Sequence, residues 1–271
     1  ETKVKDLFKA HPNIQSVIHF AASKAVGESV QKPLLYYENN IHSLVYLLKE
    51  LVKNPEEKKH FIFSSSCTVY GQADIMPITE EAPIKTAESP YGNTKQIGEE
   101  ILVDVCKTSQ LQTVLLRYFN PIGAHASAKI GELPLGVPQN LVPFITQTAK
   151  GIRKELSVFG DDYPTPDGTC IRDYIHVVDL AQAHVIALER LIKDENTQNL
   201  EVFNIGTGKG SSVLEVIQTF EKVTNQTIAY NITGRRTGDV IQAYADVSKS
   251  KEVLNWKAQK TLAEALESAW K

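Results

Sequence analysis

The sequence predicts an α/β fold, with a doubly wound parallel sheet that carries helices on both faces and a smaller α/β lobe. Three observations predict it. Short apolar runs, typical of strands buried on both faces, alternate with segments of helical spacing. That strand, helix, strand succession favours right-handed parallel connections. The later part of the chain instead carries long loops rich in Gly, Pro and Asp, followed by two helix-capping patterns, which indicate the smaller lobe.

The predicted strands of the sheet are 17–20, 61–64, 114–118 and 202–205. A helix is predicted between the first two strands, because Pro33 suits a first helical turn and leucines follow at helical spacing up to Leu51. A second helix is predicted between strands 61–64 and 114–118. It begins after Ser89, a good N-cap residue, and apolar residues recur at helical spacing up to Val105.

The rest of the chain predicts loops and two capped helices. Segments 120–136 and 159–169 are predicted to be loops, which in compact domains are usually functional when they are long. Ser212 with Glu215, and Thr261 with Glu264, have the spacing of capping boxes before apolar runs. We find no linker that would separate independently folding halves, so the two lobes are expected to interleave.

Composition narrows the class of partner. The 271 residues carry a net charge of −3 and show no run of like charge, which argues against a nucleic-acid or membrane partner and favours a small molecule. Three widely spaced cysteines without a Cys-x-x-Cys pattern indicate neither a disulfide framework nor a metal site, and suit a reducing cytoplasm. The first residues lack the apolar run of a signal peptide.

Tyr91 and Lys95 form the most informative pair in the sequence. A spacing of four on a helix stacks the two side chains on one face, where the ammonium charge is expected to lower the pKa of the phenol. A phenol with a lowered pKa can act as a base toward a hydroxyl group. Ser66 follows the strand 61–64, at the edge where open α/β sheets bind ligands. Alone, a Tyr and a Lys at this spacing are a weak signal. Because the pair follows the strand 61–64 and Ser66, we interpret it as a candidate catalytic site.

Five segments resemble the UDP-glucose 4-epimerase family of extended short-chain dehydrogenases/reductases, in particular its yeast-like members. They are 19–29, 63–71, 89–92, 117–125 and 172–180. The resemblance spans almost the whole chain. It implies a Rossmann-like domain at 1–125 and 174–209, which binds NAD, and a UDP-sugar-binding lobe at 126–173 and 210–271. It also implies an isomerase of galactose metabolism that acts as a homodimer and interconverts UDP-galactose and UDP-glucose.

The resemblance also implies the roles of individual residues. Tyr91 takes the proton of the sugar 4-hydroxyl, Lys95 holds the nicotinamide ribose, and Ser66 relays or orients the proton. Further cofactor contacts are implied for Phe20, Ala21, Ala22, Ser23, Lys24, Asn39 and Phe119. The implied UDP-sugar contacts are Asn120, Asn140, Phe159, Arg172, Arg236 and Asp239, besides Ser66 and Tyr91. Paired arginines suit a pyrophosphate, and an aromatic ring suits a base.

The family pattern includes a Gly-rich loop between its first strand and helix, which this sequence lacks. We therefore expect the sheet to be incomplete at the N-terminus, and the chain made alone to bind NAD poorly and to aggregate or be unstable. Gly206, Gly208 and Gly210 follow the strand 202–205 but have the wrong spacing for the cofactor loop. We interpret them as a tight strand-to-helix turn. His19 and His176, in apolar runs, are expected to be hydrogen-bonded core histidines.

Two alternatives to an epimerase follow from the sequence. A nucleotide-sugar 4,6-dehydratase of the same superfamily needs an Asp-Glu pair after the active-site hydroxyl, where Cys67 and Thr68 stand here. A non-catalytic UDP-sugar-binding protein would explain the missing Gly-rich loop, although intact Ser66, Tyr91 and Lys95 argue against it. The small Ala243, at a position that helps to set pocket size in the family, leaves acceptance of N-acetylated sugars open.

Overall fold

The computed structural model describes residues 1–134, 136–236 and 238–271. In chain order its elements are α1 (Thr2–Ala10), β1 (Ser16–His19), α2 (Val26–Gln31), α3 (Pro33–Leu51), β2 (Lys59–Ser64), a 3-10 helix (Cys67–Tyr70), α4 (Pro90–Thr108), β3 (Leu111–Tyr118), β4 (Asn120–Ile122), α5 (Leu141–Ala149), β5 (Leu156–Phe159), β6 (Ile171–Arg172), β7 (Tyr174–His176), α6 (Val177–Ile192), β8 (Leu200–Ile205), β9 (Ser211–Ser212), α7 (Val213–Thr224), β10 (Tyr230–Thr233), β11 (Gln242–Ala243), α8 (Ser248–Val253) and α9 (Leu262–Trp270).

The chain divides into two interleaved units. Unit 1 comprises Glu1–Gln72, Pro83–Tyr118 and Ala183–Asn204, and unit 2 comprises Ala73–Ala82, Phe119–Gln182 and Ile205–Lys271. The division inferred from the sequence instead changes lobe after residues 125, 173 and 209. The assignment of NAD and UDP-sugar binding to separate lobes stays a prediction.

Unit 1 is built on the sheet with strand order β1-β2-β3-β8. Strand β2 pairs in parallel with both β1 and β3, and every residue of β2 is buried. The predicted strands coincide with β1, β2, β3 and β8 to within a few residues, because short apolar runs of this kind are typical of strands in a parallel sheet. The predicted parallel α/β arrangement is therefore what the fold has.

The helices of unit 1 begin where local sequence signals placed them. α3 starts at Pro33, and α4 starts at Pro90 after an N-cap Ser89 whose Oγ accepts from the Gly92 amide. Between these helices and the sheet lies a core of leucine and phenylalanine side chains. Gly98 is required there, because a Cβ at this position would lie 2.7 Å from the Phe63 ring.

Unit 2 contains short strand pairs and its own apolar core. Strands β10 and β5, β11 and β6, and β4 and β7 pair in parallel, whereas β6 and β9 pair antiparallel. α7 and α9 begin at the two predicted capping boxes, in which Ser212 and Thr261 accept from the amides of Glu215 and Glu264. These helices share a buried core with α5. The predicted loop 120–136 is in error at its start, because Asn120–Ile122 pairs with β7.

Candidate active site

Tyr91 and Lys95 lie on successive turns at the start of α4. Both are nearly inaccessible, with 7% and 4% of their surfaces exposed. Lys95 Nζ donates a 2.6 Å hydrogen bond to the carbonyl oxygen of Ser64, at the end of β2. The same atom lies 5.9 Å from the centroid of the Tyr91 ring. The helical spacing therefore places the ammonium beside the phenol ring, as predicted, while a strand-end carbonyl holds it.

Ser66 lies at the same strand end. Its Oγ caps the 3-10 helix by accepting from the Thr68 amide at 3.2 Å. The Ser66 side chain is also hydrogen bonded to the Tyr91 phenol. The structure thus brings Ser66, Tyr91 and Lys95 together in unit 1, whereas their catalytic roles stay predictions.

Burial dominates the ionisation of this group. It lowers the pKa of Lys95 from 10.5 to about 8, against the nearby Glu99 carboxylate, which raises it. Burial also raises the pKa of Tyr91, and the neighbouring Tyr118 adds to the increase, while the hydrogen bond from Ser66 opposes it. The pKa shift of the phenol is opposite to the one predicted from the spacing of Tyr91 and Lys95. The spacing in the sequence indicates that Tyr91 lies near the Lys95 charge, but it does not indicate how far burial removes the phenol from solvent.

The predicted cofactor segment 20–24 follows β1 without regular structure. Phe20 is 55% exposed, and its ring centroid lies 4.4 Å from that of His184. Asn39 Nδ2 donates to Ser23 Oγ at 3.1 Å, so two predicted cofactor contacts touch each other. Ala21, Ala22 and Lys24 lie in the same segment of unit 1. Phe119 instead belongs to unit 2, where its side chain is buried and its amide donates to the Ile205 carbonyl at 3.1 Å.

Asn40 anchors this segment, and the sequence did not single it out. Its Oδ1 accepts from the Ser23 amide at 2.8 Å, and its Nδ2 donates to the Ser23 carbonyl at 3.0 Å. The same Nδ2 donates to Thr94 Oγ1 at 3.0 Å. Asn40 is buried. It connects the segment after β1 to Thr94, a residue of α4 that lies between Tyr91 and Lys95 in the sequence. A polar residue on the buried side of a helix was the available signal.

Three of the predicted UDP-sugar residues form a cluster in unit 2. The Arg236 guanidinium carbon lies 5.1 Å from the centroid of the Phe159 ring. Its Nη2 and Nε donate to the two carboxylate oxygens of Asp239 at 2.8 and 3.1 Å. Arg236 and Asp239 thus form an ion pair, and the arginine side chain remains 53% exposed. Arg236 and Phe159 together therefore present a charged and aromatic surface to solvent.

The other predicted UDP-sugar residues lie elsewhere in unit 2. Asn120 begins β4, and its amide donates to the Asp173 carbonyl at 2.9 Å. Arg172 ends β6, opposite Ala243 of β11, and its Nη1 donates to the Ile171 carbonyl at 2.8 Å. Asn140 stands before α5 and donates from Nδ2 to Glu132 Oε1 at 3.0 Å.

The glycine cluster after β8 surrounds an internal carboxylate. Asp173 is fully buried, and it accepts from the amides of Thr207, Gly208 and Ala245 and from the Thr207 hydroxyl. A Cβ at Gly206 would collide with Asp173 Oδ2. These amides are therefore occupied by a side chain of the protein, in agreement with the interpretation of the cluster as a structural turn.

The two core histidines differ from each other. His176 Nδ1 accepts from the Val178 amide at 3.0 Å, and its Nε2 is 3.2 Å from Ser268 Oγ, so this histidine is hydrogen bonded as predicted. His19 is not. Both of its ring nitrogens are buried and, within the described ranges, have no hydrogen-bond partner. Burial, with a contribution from the Lys95 charge, lowers the pKa of His19 to about 4, so the ring is neutral and packs on Phe63.

Comparison with known proteins identifies the family. The profile of the GDP-mannose 4,6 dehydratase family matches residues 1–269. The chain is 47% identical over 270 residues to the UDP-glucose 4-epimerase of Drosophila melanogaster, an alignment that covers 99% of this chain and 76% of the relative. It is 51% identical over 256 residues to UDP-glucose 4-epimerase 2 of Arabidopsis thaliana, covering 94% of this chain and 72% of the relative. The chain belongs to the UDP-glucose 4-epimerase family.

Solved structures of the family agree. The UDP-glucose 4-epimerase from Stenotrophomonas maltophila, with bound NAD and formylated UDP-arabinopyranose, matches with a TM-score of 0.93 and 45% identity, over 99% of this chain and 78% of the other. The enzyme from Bifidobacterium longum, in complex with NAD+ and UDP, matches with a TM-score of 0.91 and 48% identity over the same shares. The family and the Rossmann-like α/β fold class inferred from the sequence are confirmed.

Membership of the family does not by itself exclude dehydration, because the matching profile carries a dehydratase name. The residues after Ser66 bear on this point. Cys67 and Thr68 open the 3-10 helix where a dehydratase needs an acid and a carboxylate, and neither side chain can supply them.

Within the part of the chain that the structure describes, no group of three His, Cys, Asp or Glu residues is arranged to hold a metal ion. No described helix is both long and apolar enough to cross a membrane.

Proposed function

We propose that this chain is a UDP-glucose 4-epimerase that inverts C4 of the hexose in UDP-galactose and UDP-glucose with NAD as cofactor. The observation that carries the proposal is the buried group of Ser66, Tyr91 and Lys95 at the end of β2, in a chain of this family. A hydroxyl, a phenol and an ammonium at one strand end are the groups needed to move a hydroxyl proton.

The residues of unit 1 fit the nicotinamide ribose end of NAD. Lys95 Nζ has three donors, and its hydrogen bond within the described part of the chain goes to Ser64, which leaves donors for ribose hydroxyls. Ser23 and Asn39, hydrogen bonded to each other, add polar groups in the segment after β1. When bound, NAD accepts the hydride from C4 of the sugar and later returns it to the same carbon.

Tyr91 is the proposed base. As the hydride leaves C4, the phenolate takes the proton of the 4-hydroxyl, and the carbinol carbon becomes a ketone. Lys95 is protonated below its pKa of about 8, so at neutral pH its charge favours the phenolate against the effect of burial. The Ser66 hydroxyl, bonded to the phenol, orients or relays the proton. After the keto sugar rotates, hydride returns to the opposite face of C4, Tyr91 returns the proton to the oxygen, and C4 is inverted.

The exposed cluster of unit 2 is the proposed anchor for UDP. Arg236 of this cluster, and Arg172 outside it, suit a pyrophosphate, because guanidinium groups form paired, charge-assisted bonds to phosphate oxygens. The Phe159 ring is 39% exposed and suits stacking on uracil. A UDP held in this way leaves the sugar free to rotate between the two hydride transfers.

An isotope experiment tests the reaction. With UDP-[4-²H]galactose, we expect UDP-glucose that keeps the deuterium at C4, because the hydride leaves and returns without reaching solvent. Chromatographic separation of the two epimers, with NMR for the deuterium at C4 and mass spectrometry for any loss of water, checks it. A product lighter by one water would instead indicate a dehydratase, and UDP-galactose binding without conversion in the presence of NAD would indicate a binding protein.

We also infer that two copies of the chain associate, as the family resemblance implies. α3 and α4 carry a groove lined by Leu34, Ile41 and Ile97, and Leu34 is 80% exposed. A second copy that presents the same helices would cover these apolar side chains. Sedimentation should give a dimer for the parent and a monomer for Leu34→Glu, whereas a monomeric parent would contradict the proposal.

Free thiols at Cys106 and Cys170 support a reducing, cytoplasmic location.

A further inference from the structure

A buried carboxylate lies one helical turn after Lys95 on α4. Glu99 is 7% exposed. The Arg117 guanidinium holds both of its oxygens, from Nε to Oε1 at 2.9 Å and from Nη2 to Oε2 at 2.6 Å. Arg117 Nη1 donates to the Tyr70 hydroxyl at 3.0 Å, and Tyr70 donates to Asn204 Oδ1 at 2.7 Å. The charge of Glu99 is thus compensated within a network that joins α4, β3, β8 and the 3-10 helix.

Glu99 also contacts the strand end that carries the reacting group. Ser65 Oγ donates to Glu99 Oε1 at 2.5 Å. Ser65 stands between Ser64, whose carbonyl accepts from Lys95, and Ser66, whose hydroxyl is bonded to the phenol of the proposed base. The carboxylate therefore holds the middle residue of a segment whose two neighbours contact the catalytic pair.

We propose that Glu99 is a positioning residue of the reaction. Its carboxylate fixes Ser65, whose two neighbours in the chain contact the catalytic pair of Tyr91 and Lys95. The inference rests on the proposed epimerase function. Glu99 acts through Ser65 and, by its negative charge one turn away, on Lys95. Arg117 serves Glu99 in turn, since its guanidinium binds both carboxylate oxygens in a buried site.

The charge of Glu99 bears on the protonation of Lys95. The titratable groups that face Lys95 are Glu99, Tyr91 and His19, and those that face Tyr91 are Tyr36 of α3, Cys67 of the 3-10 helix and Tyr118 of β3. Glu99 is the carboxylate of this set. Its removal should therefore lower the pKa of Lys95 and leave the unpaired Arg117 charge to act in the same direction.

Unit 1 contains a matched control for the loss of a buried ion pair. Arg190 binds Glu201 with two of its guanidinium nitrogens, Nε to Oε2 at 2.8 Å and Nη2 to Oε1 at 3.1 Å. The two side chains are 10% and 7% exposed, close to the 8% and 9% of Arg117 and Glu99. Glu201 also accepts from Thr197. It touches none of Ser64, Ser65 and Ser66 in any described contact, so its loss reports the structural effect alone.

The experiment compares Glu99→Gln, Glu201→Gln and Ser65→Ala in the NAD-loaded protein. Glu99→Gln should lower kcat about tenfold at unchanged KM, because a small misplacement of reacting groups is costly. Ser65→Ala, which leaves the ion pair intact, should lower kcat about threefold. Glu201→Gln should keep the parental kcat. Glu99→Gln with kcat as high as Glu201→Gln would overturn the proposal.

A second measurement needs no substrate. The Cε shift of ¹³C-labelled Lys95, followed by NMR against pH, should titrate about one pH unit lower in Glu99→Gln and unchanged in Glu201→Gln. A parent that fails to convert UDP-galactose contradicts the proposed function and leaves this test of Glu99 in place. If Glu99→Gln does not fold, Ser65→Ala decides, and a parental kcat in that variant would refute the positioning role.

Discussion

The proposed chemical group and the proposed anchor differ in exposure. Ser66, Tyr91 and Lys95 in unit 1 are each less than one-tenth exposed, so a change of charge there is felt at low dielectric. Phe159 and Arg236 in unit 2 are 39% and 53% exposed, and solvent screens their interactions. Substitutions in the first region should therefore change the rate and pKa values, whereas those in the second should change affinity.

The largest effect is expected at Tyr91. Tyr91→Phe removes the proposed base and should lower kcat by about 10³-fold or more, because the phenyl ring has no group that can accept the proton. Steady-state conversion of UDP-galactose measures it. Tyr174→Phe, which removes another buried phenol in unit 2, is the control and should retain kcat. A near-parental kcat in Tyr91→Phe would contradict the assignment of Tyr91 as the base.

Arg236 tests the other side. Arg236→Leu removes the charge that lies over Phe159, and we expect KM for UDP-galactose to rise by about 10- to 100-fold, with kcat within a fewfold of the parent. Arg235→Gln is the neighbouring control, since Arg235 pairs with Asp162 and packs on Tyr163 instead. If Arg236→Leu loses kcat without a change in KM, unit 2 contributes to the chemical step and the comparison is wrong.

The sequence predicted most of unit 1 because its signals are local. Ser89 caps α4 and Pro33 opens α3 through contacts within one turn, and β2 contains the apolar run 61–63. Contacts distant in sequence were missed. Asn40 reaches Thr94 across 54 residues, and no periodicity encodes that pairing. The orphaned nitrogens of His19 were missed for the same reason, since hydrogen-bond satisfaction depends on neighbours that the sequence does not specify.

The candidate site was predicted as a set of residues but not as an electrostatic environment. Helical spacing placed Tyr91 and Lys95 on one face, and the strand end placed Ser66 near them. The direction of the Tyr91 pKa shift was wrong, because desolvation depends on how tightly β2, β3 and α4 pack around the phenol. Short strands of unit 2, such as β6 and β11, also escaped prediction because two residues are too few to show alternation.

Lys95 gives a pH-dependent test of burial. Its pKa is about 8 in the folded state and near 10.5 when exposed, so between these values the unfolded chain binds more protons and stability rises with pH. Lys95→Met lacks this dependence. Between pH 7 and pH 9.5 the parent should therefore gain about 2 kcal/mol in the free energy of unfolding relative to the variant. Urea unfolding at both pH values measures it, and a constant difference would mean that Lys95 is solvated.

The smallest expected effects come from two helix caps, and they separate stability from rate. Ser89→Ala and Ser212→Ala each remove an N-cap hydroxyl, from α4 and α7, and each should cost about 1 kcal/mol in the free energy of unfolding. Only Ser89→Ala should also lower kcat, by a fewfold, because α4 carries Tyr91 in its first turn. Urea unfolding and kcat, measured on the same two proteins, check this. Equal effects on kcat would show that the rate follows global stability, and that the buried group of unit 1 owes nothing to the local geometry of its helix start.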